Sequence, residues 1–259
     1  MTGPVVGAVV ARLRAAGCVF AEEEAALLIE AASGVGGSAA VLEDMVARRE
    51  AGEPLEVIVG WVEFYGIRHA VDAGVFVPRR RSELLVREAV ALLRAGDSVV
   101  ELCAGVAAIA ASLAVAVPGV EAYAAEIDER AVAVARRNLA PERVFQGDLF
   151  SALPGRLQGR VAVLVANAPY VPSAEIELMP REARKHEPLH TLDGGADGLD
   201  VQRRIVADAA EWLRPGGSLL IETSEEQASA TAALFTAAGF VPRVVHDDEL
   251  FGTVVVGAR

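Results

Sequence analysis

Val99 to Ala114 reads VVELCAGVAAIAASLA. A β-branched apolar run stops on a carboxylate, a tight turn holds Gly105, and an alanine-rich helix begins at once. The hydrophobic period changes there from that of a strand to that of a helix. A glycine at such a turn lets the backbone come close to a ligand, and the helix N-terminus offers free N–H groups. Any strand–turn–helix joint with one glycine looks similar, so the sequence on either side decides the fold.

Downstream the pattern repeats. Residues 120–127 (VEAYAAEI) read as a strand, 128–138 as a helix, 143–147 as a short strand and 161–167 (VAVLVAN) as a strand. A long irregular segment, 170–197, precedes a helix at 199–213, a strand at 218–224 (SLLIETS) and a helix at 225–238. The end, 240–259, reads as two strands joined by an acidic turn. Upstream, 82–94 reads as a helix leading into the strand at 98–102. This alternation predicts an α/β domain, a mostly parallel sheet with helices on both faces and an antiparallel edge. Residues 5–50 carry three helices with Gly or Ser at their ends, and the β-branched, aromatic stretch that follows reads as a hairpin linker. The predicted organisation is a helical domain over 1–60, a hairpin linker over 61–81 and the α/β domain over 82–259.

Open parallel sheets bind ligands beyond the carboxyl ends of their strands, where the strand order reverses. Four junctions carry polar or glycine signals there. The first is the turn from Glu101 to Ala107. The second is Glu126, about 20 residues on, where a carboxylate can accept two hydrogen bonds from a ribose diol. Its alternative role, capping the next helix, suits Asp128 better. The third is Asp148 in QGDLF, which alone is an ordinary turn aspartate. The fourth is Asn167-Ala168-Pro169-Tyr170, at the end of the strand VLVAN. Asn167 carries an acceptor and two donors on one planar amide. Pro169 biases Ala168 toward an extended conformation and so directs its carbonyl. With Tyr170 as a wall, two acceptors and a flat surface suit an amide or amine nitrogen; a polar turn over a core tyrosine is the alternative.

Composition narrows the classes. The chain has 259 residues, is 53% hydrophobic and carries a formal charge of −12. That balance argues against gripping a phosphate backbone, which needs surplus Lys and Arg. No apolar run approaches the ~18 residues of a membrane span. The arginines near the N-terminus follow its apolar stretch, the reverse of a secretion signal, so MTGPVVGAVVARLRAAG reads as a helix. Cys18 and Cys103 lack metal-ligand spacing and read as free thiols of a reducing, cytoplasmic compartment.

Taken in order, the junctions resemble those of class I S-adenosylmethionine-dependent methyltransferases, with a Rossmann-like seven-stranded sheet. GEPLEVIVGWVEFYGIRHAVDAGVFVPRRRSE, FQGDLF, NAPY, HEPLHTLDGGADGLDVQRRI and LRPGGSLLIET are similar to stretches of the HemK/PrmC-type protein-(glutamine-N5) methyltransferases. The resemblance runs from about Gly52 to the C-terminus and points to a side branch with Asn-Ala-Pro-Tyr. It implies S-adenosylmethionine as cofactor and, as substrate, the side-chain amide of a glutamine in a partner protein, a release factor or a ribosomal protein. It implies that the helical N-terminal part docks that partner. Glu101, Cys103, Ala104 and Gly105 would line the methionine end of the cofactor. Glu126 would bind its ribose, Ile127 beside it would belong to the cofactor site, and Asp148 with Leu149 would flank its adenine. Asn167 and the Ala168 carbonyl would grip the substrate amide beside the cofactor, with Pro169 and Tyr170 completing the motif.

Three departures shape expectations. Ala168 replaces a proline but keeps the backbone carbonyl. Cys103 and Ala107 stand where the family has glycine, and L-residues at positive φ cost roughly 1–3 kcal/mol. Those two are therefore expected at ordinary angles, or the loop shifted. The family's PRPETE-like stretch reads PRRRSE, placing Arg79, Arg80 and Arg81 as a basic cluster near the site, or as a solvated face. Two rivals stand beside this reading. One is a non-catalytic homologue that binds cofactor and partner. The other is an amino-methyltransferase of a nucleic-acid base or small molecule.

Overall fold

The computed structural model describes residues 3–34 and 36–259; Met1 and Thr2, the start of the stretch read as an N-terminal helix, lie outside the described residues. Three helices come first: α1 (Gly3–Ala15), α2 (Ala21–Gly34) and α3 (Ala39–Glu50). Glu22, Glu23 and Glu24 in the first turn of α2 complement its dipole. Ser38 caps α3 by accepting from the Val41 N–H at 3.2 Å. The three bury Leu13, Leu28, Leu42 and Val46 against one another in a core of their own. A short helix that the sequence reading did not resolve, α4 (Leu55–Val59), follows Pro54 and stops at Gly60, whose φ of 83° is left-handed.

β1 (Trp61–Phe64) and β2 (Ile67–Ala70) form the antiparallel hairpin. Its Val62 and Phe64 sit in the core of the sheet that follows, not in the helical core. Then come α5 (Glu83–Leu92), β3 (Ser98–Leu102), α6 (Ala108–Ala116), β4 (Glu121–Glu126), α7 (Glu129–Asn138) and β5 (Val144–Gln146). β6 (Val161–Ala166), α8 (Arg181–His186), α9 (Asp200–Trp212), β7 (Leu213–Thr223), α10 (Ala228–Ala237), β8 (Val241–Asp247) and β9 (Gly252–Ala258) complete the chain. α8 lies inside the segment expected to be irregular. β7 begins at Leu213 rather than Ser218, because Leu213 already pairs with Val161 across a register shift.

The sheet has seven strands in the order β5-β4-β3-β6-β7-β9-β8. The first five are parallel, and β9 runs antiparallel to both β7 and β8, as the terminal strand pair predicted. Every residue of β6 is buried, as befits a central parallel strand covered on both faces. Val99, Val163 and Val165 enter the core on one face; Val100, Leu102, Leu164 and Ala166 enter the other. That alternation is the period-two pleat written across two neighbouring strands. Among the described residues, no helix is long and apolar enough to cross a membrane.

Candidate functional site

From β3 the chain moves outward through β4 to β5, then returns to place β6 on the other side of β3. A crevice opens beyond the carboxyl ends of β3 and β6 at that reversal. It holds a cavity of about 480 Å³. The residues singled out at all four junctions line it, from Glu101 and Gly105 through Glu126 and Asp148 to Asn167 and Tyr170.

The turn after β3 is clipped to the end of β4. The Ala104 N–H donates to the Ala125 carbonyl at 3.1 Å, and the Gly105 N–H to Glu126 Oε2 at 2.7 Å. Glu126 Oε1 accepts from the Asp128 N–H at 2.8 Å. Burial raises the Glu126 pKa, and these backbone donors act against the rise. Cys103, Gly105 and Ala107 have φ of 51°, 54° and 59°. The expectation of ordinary angles for Cys103 and Ala107 is therefore wrong: both keep a glycine-like conformation. L-residues lose about 1–2 kcal/mol each there. The clamp to β4 and a bond from Asn138 Nδ2 to the Val106 carbonyl, 2.9 Å, hold the turn in place. Asp128 caps α7, accepting from the Arg130 N–H at 2.7 Å, so its capping role is met.

Glu101, 3% exposed, turns under the same loop and accepts from the Ala110 N–H of α6 at 2.7 Å. Burial pushes its pKa up to about 8, although the helix N–H groups of Ala110 and Ile109 favour the ion. The sign follows from linkage. With an unfolded value near 4.5, Glu101 keeps its proton in the folded chain between there and about 8. Stability therefore falls as pH rises through that window. Thermal melts of the ligand-free protein from pH 5 to 9 should show that decline, and Glu101→Gln should make it shallower. Identical slopes in both proteins would show that Glu101 is not the titrating group.

On the far wall, Asp148 pairs with Arg204 of α9 at 2.6 Å, and Leu149 is left-handed with φ of 48°. His190 sits on the rim with Nε2 at 3.3 Å from Asp128 Oδ2. At the end of β6, Asn167 Nδ2 donates to Ser82 Oγ at 3.1 Å. Ala168 is buried, and among the described residues no hydrogen bond is made to its carbonyl. The Tyr170 hydroxyl donates to Glu222 Oε1 at 3.4 Å.

The segment DGGADGLD lies directly behind this motif. A Cβ on Gly194 would stand 2.7 Å from the Pro169 carbonyl oxygen, and one on Gly198 only 2.2 Å from that of Tyr170. Gln227 Nε2 also donates to the Tyr170 carbonyl at 2.9 Å. The glycines let two stretches of backbone meet, which fixes where Asn167 and Ala168 point.

The basic cluster comes apart in the structure. Arg80 is exposed, whereas Arg79 pairs with Glu187 and Arg81 Nε with Glu222 Oε1 at 3.2 Å. The cavity mouth thus has arginines already matched to buried acids, not a free basic patch. Ser82, Glu222, Arg204 and Phe64 also bear on the cavity or its walls, and the sequence reading did not single them out. The stretches PRRRSE and LLIET, which contain Ser82 and Glu222, are the sequence signals for them.

Comparison with known proteins gives the family. Residues 70–182 match the methyltransferase small domain. The release factor glutamine methyltransferase of Geobacter sulfurreducens is 36% identical over 85% of this chain and 78% of its own length. That of Streptomyces coelicolor is 41% identical over 79% and 75%. The 4-amino-L-phenylalanine/4-methylamino-L-phenylalanine methyltransferase of Streptomyces pristinaespiralis is 39% identical over 75% and 69%. Among solved structures, a methyltransferase from Pyrococcus furiosus superposes with a TM-score of 0.55 at 16% identity, covering 74% of this chain and 89% of that one, a likeness of fold. With such identity over most of both chains, and a sheet that turns back beside β3 to form the site, this chain belongs to the release factor glutamine methyltransferase family.

Proposed function

We propose that this protein transfers a methyl group from S-adenosylmethionine to the side-chain amide nitrogen of a glutamine in a release factor, acting in the cytoplasm. The observation that carries the reading is the end of β6: an Asn167 amide anchored on Ser82, next to an Ala168 carbonyl that takes no donor among the described residues.

The cavity suits the cofactor. Its volume of about 480 Å³ falls among small-molecule clefts, typically ~300–1,000 Å³. The space over Gly105 is open, since a Cβ there would meet nothing within 4 Å. Glu126 would hold the ribose hydroxyls with its remaining lone pairs, and Ile127 and Leu149 offer apolar surface to the adenine. Bound S-adenosylmethionine supplies an electrophilic methyl group.

The chain's own contribution is orientation. An amide nitrogen is a weak nucleophile. Asn167 Oδ1 and the Ala168 carbonyl accept its two N–H bonds, fix the nitrogen in line and stabilise positive charge as it develops there. Positioning of this kind is worth up to roughly 7–11 kcal/mol in favourable cases. Residues 1–60, with their own core, serve as the docking domain. The hairpin stays with the catalytic part, because Val62 and Phe64 pack into its core.

The relative from Streptomyces pristinaespiralis favours a second reading, methylation of an aromatic amine on a free amino acid. One experiment separates them: labelled S-adenosylmethionine with either recombinant release factor or 4-amino-phenylalanine, read by mass spectrometry. The expected product is a single methyl group on a glutamine side chain of the release factor. Deleting residues 1–60 should leave cofactor affinity within about twofold and reduce transfer to the release factor at least tenfold. Label only on the small amine would overturn the first reading, and unchanged transfer after truncation would remove the docking role.

A further inference from the structure

Two consecutive residues brace the two ends of the motif after β6. Ser82 Oγ accepts from Asn167 Nδ2 at 3.1 Å, and the Arg81 guanidinium stands over the Tyr170 ring, with Cζ 5.8 Å from its centre. Arg81 therefore lines the cavity at the end that holds Asn167 and the Ala168 carbonyl. Its Nε donates to Glu222 Oε1 at 3.2 Å. The same oxygen takes the Tyr170 hydroxyl at 3.4 Å, and Glu222 is 0% exposed, so the anchor is part of the cavity wall. That bond needs only a lone pair on Oε1, so it stands whether or not Glu222 is ionised.

A guanidinium is planar and carries five N–H donors in a fixed fork. Glu222 takes one of them, and holding Nε sets where the rest point. Among the described residues, Nη1 and Nη2 of Arg81 reach no carboxylate or carbonyl. Even with the neighbouring Tyr170 hydroxyl as a second acceptor, N–H groups are left at the edge away from Glu222. With the Nε side turned to a buried acid and 42% of the side chain exposed, that edge is the one at the open mouth of the cavity.

We infer that Arg81 is a substrate-binding residue: the outer edge of its guanidinium donates to a main-chain carbonyl beside the target glutamine, and so selects a glutamine carried in a polypeptide. This rests on the reading that the substrate is a glutamine side chain of a release factor. In such a substrate the main-chain carbonyls lie one short side chain from the amide gripped by Asn167. A free amino acid would bring a carboxylate to the same place, an oxygen acceptor that the fork also fits. The family pattern gives Arg81 no part in this, since PRRRSE is a stretch where the chain departs from it.

Steady-state kinetics on recombinant release factor and on 4-amino-phenylalanine, with cofactor Kd by calorimetry, test the parent, Arg81→Lys, Arg81→Met and the double variant Arg81→Met with Glu222→Gln. Lysine keeps the charge and loses the fork. Arg81→Lys and Arg81→Met should each raise KM for the release factor at least tenfold, with kcat within about threefold and cofactor Kd within twofold of the parent. A merely structural arginine, present to offset the buried acid, would be rescued once that acid is gone. The double variant should instead keep its KM at least tenfold above the parent. Parent-like KM in Arg81→Lys, or KM restored in the double variant, overturns the inference and leaves the glutamine reading intact. A KM raised for 4-amino-phenylalanine and not for the release factor shows a carboxylate contact and overturns the main-chain carbonyl. A parent that leaves the release factor unmethylated ends the function reading, and this inference with it.

Discussion

Asn167→Ala should lower kcat for methyl transfer by a factor on the order of 10² or more, with cofactor affinity and melting temperature nearly unchanged. Removing one preorganised polar group aimed at developing charge costs about 10²–10³ in turnover in well-studied sites. The loss is concentrated in the transition state, because the substrate nitrogen gains positive charge only as the methyl group arrives. The fold should survive. Asn167 lies beyond the last residue of β6, is only half-buried, and makes one side-chain bond, to Ser82. Leaving the Ser82 oxygen without that donor costs at most about 1–3 kcal/mol, and less where water enters the cavity. Ala168→Pro should keep activity, since the carbonyl stays and Pro169 already restricts residue 168. Single-turnover kinetics with saturating cofactor check both. A parent-like rate for Asn167→Ala would end the amide-clamp mechanism.

The parts of the molecule legible in the sequence are those set by local periodicity. The alternation from Val99 onward gave the sheet, and the strand ends at Glu101, Glu126 and Asn167 pointed into what proves to be one cavity. Parallel strands place all their carboxyl ends on one edge, so residues far apart in sequence meet there by topology alone. Legibility ended where long-range contacts override local preference. Cys103 and Ala107 adopt left-handed angles that their own chemistry disfavours, because the Glu126 carboxylate and the β4 backbone hold the turn from outside. The arginines of PRRRSE look like a surface run, yet two are drawn inward by Glu187 and Glu222, which lie over a hundred residues away. DGGADGLD is visible as a glycine-rich loop. Its purpose, backing the NAPY backbone, requires knowing that Gly198 faces the Tyr170 carbonyl.

Glu126→Ala should weaken binding of S-adenosylmethionine or its demethylated product by about 1.5–3 kcal/mol, roughly 10- to 150-fold in Kd. Two losses combine. The direct one is the charge-assisted acceptor for the ribose hydroxyls. The indirect one is the clip that fixes the turn, since Glu126 accepts from the Gly105 and Asp128 N–H groups at 2.7 and 2.8 Å. Cys103 and Ala107 hold left-handed angles in that turn against their own preference, so releasing the clip should let them relax and disturb the open space over Gly105. Glu126→Gln separates charge from shape poorly in most sites but is informative here. Each carboxylate oxygen faces a backbone donor, so a glutamine must aim its NH₂ group at one of those N–H groups. It should therefore bind nearly as weakly as the alanine variant, whereas a purely ribose-directed role would leave it intermediate. Calorimetry with the demethylated product, paired with thermal melts of each variant without ligand, gives the result. Affinity within twofold of the parent for Glu126→Ala would show that neither the ribose contact nor the clip governs cofactor binding.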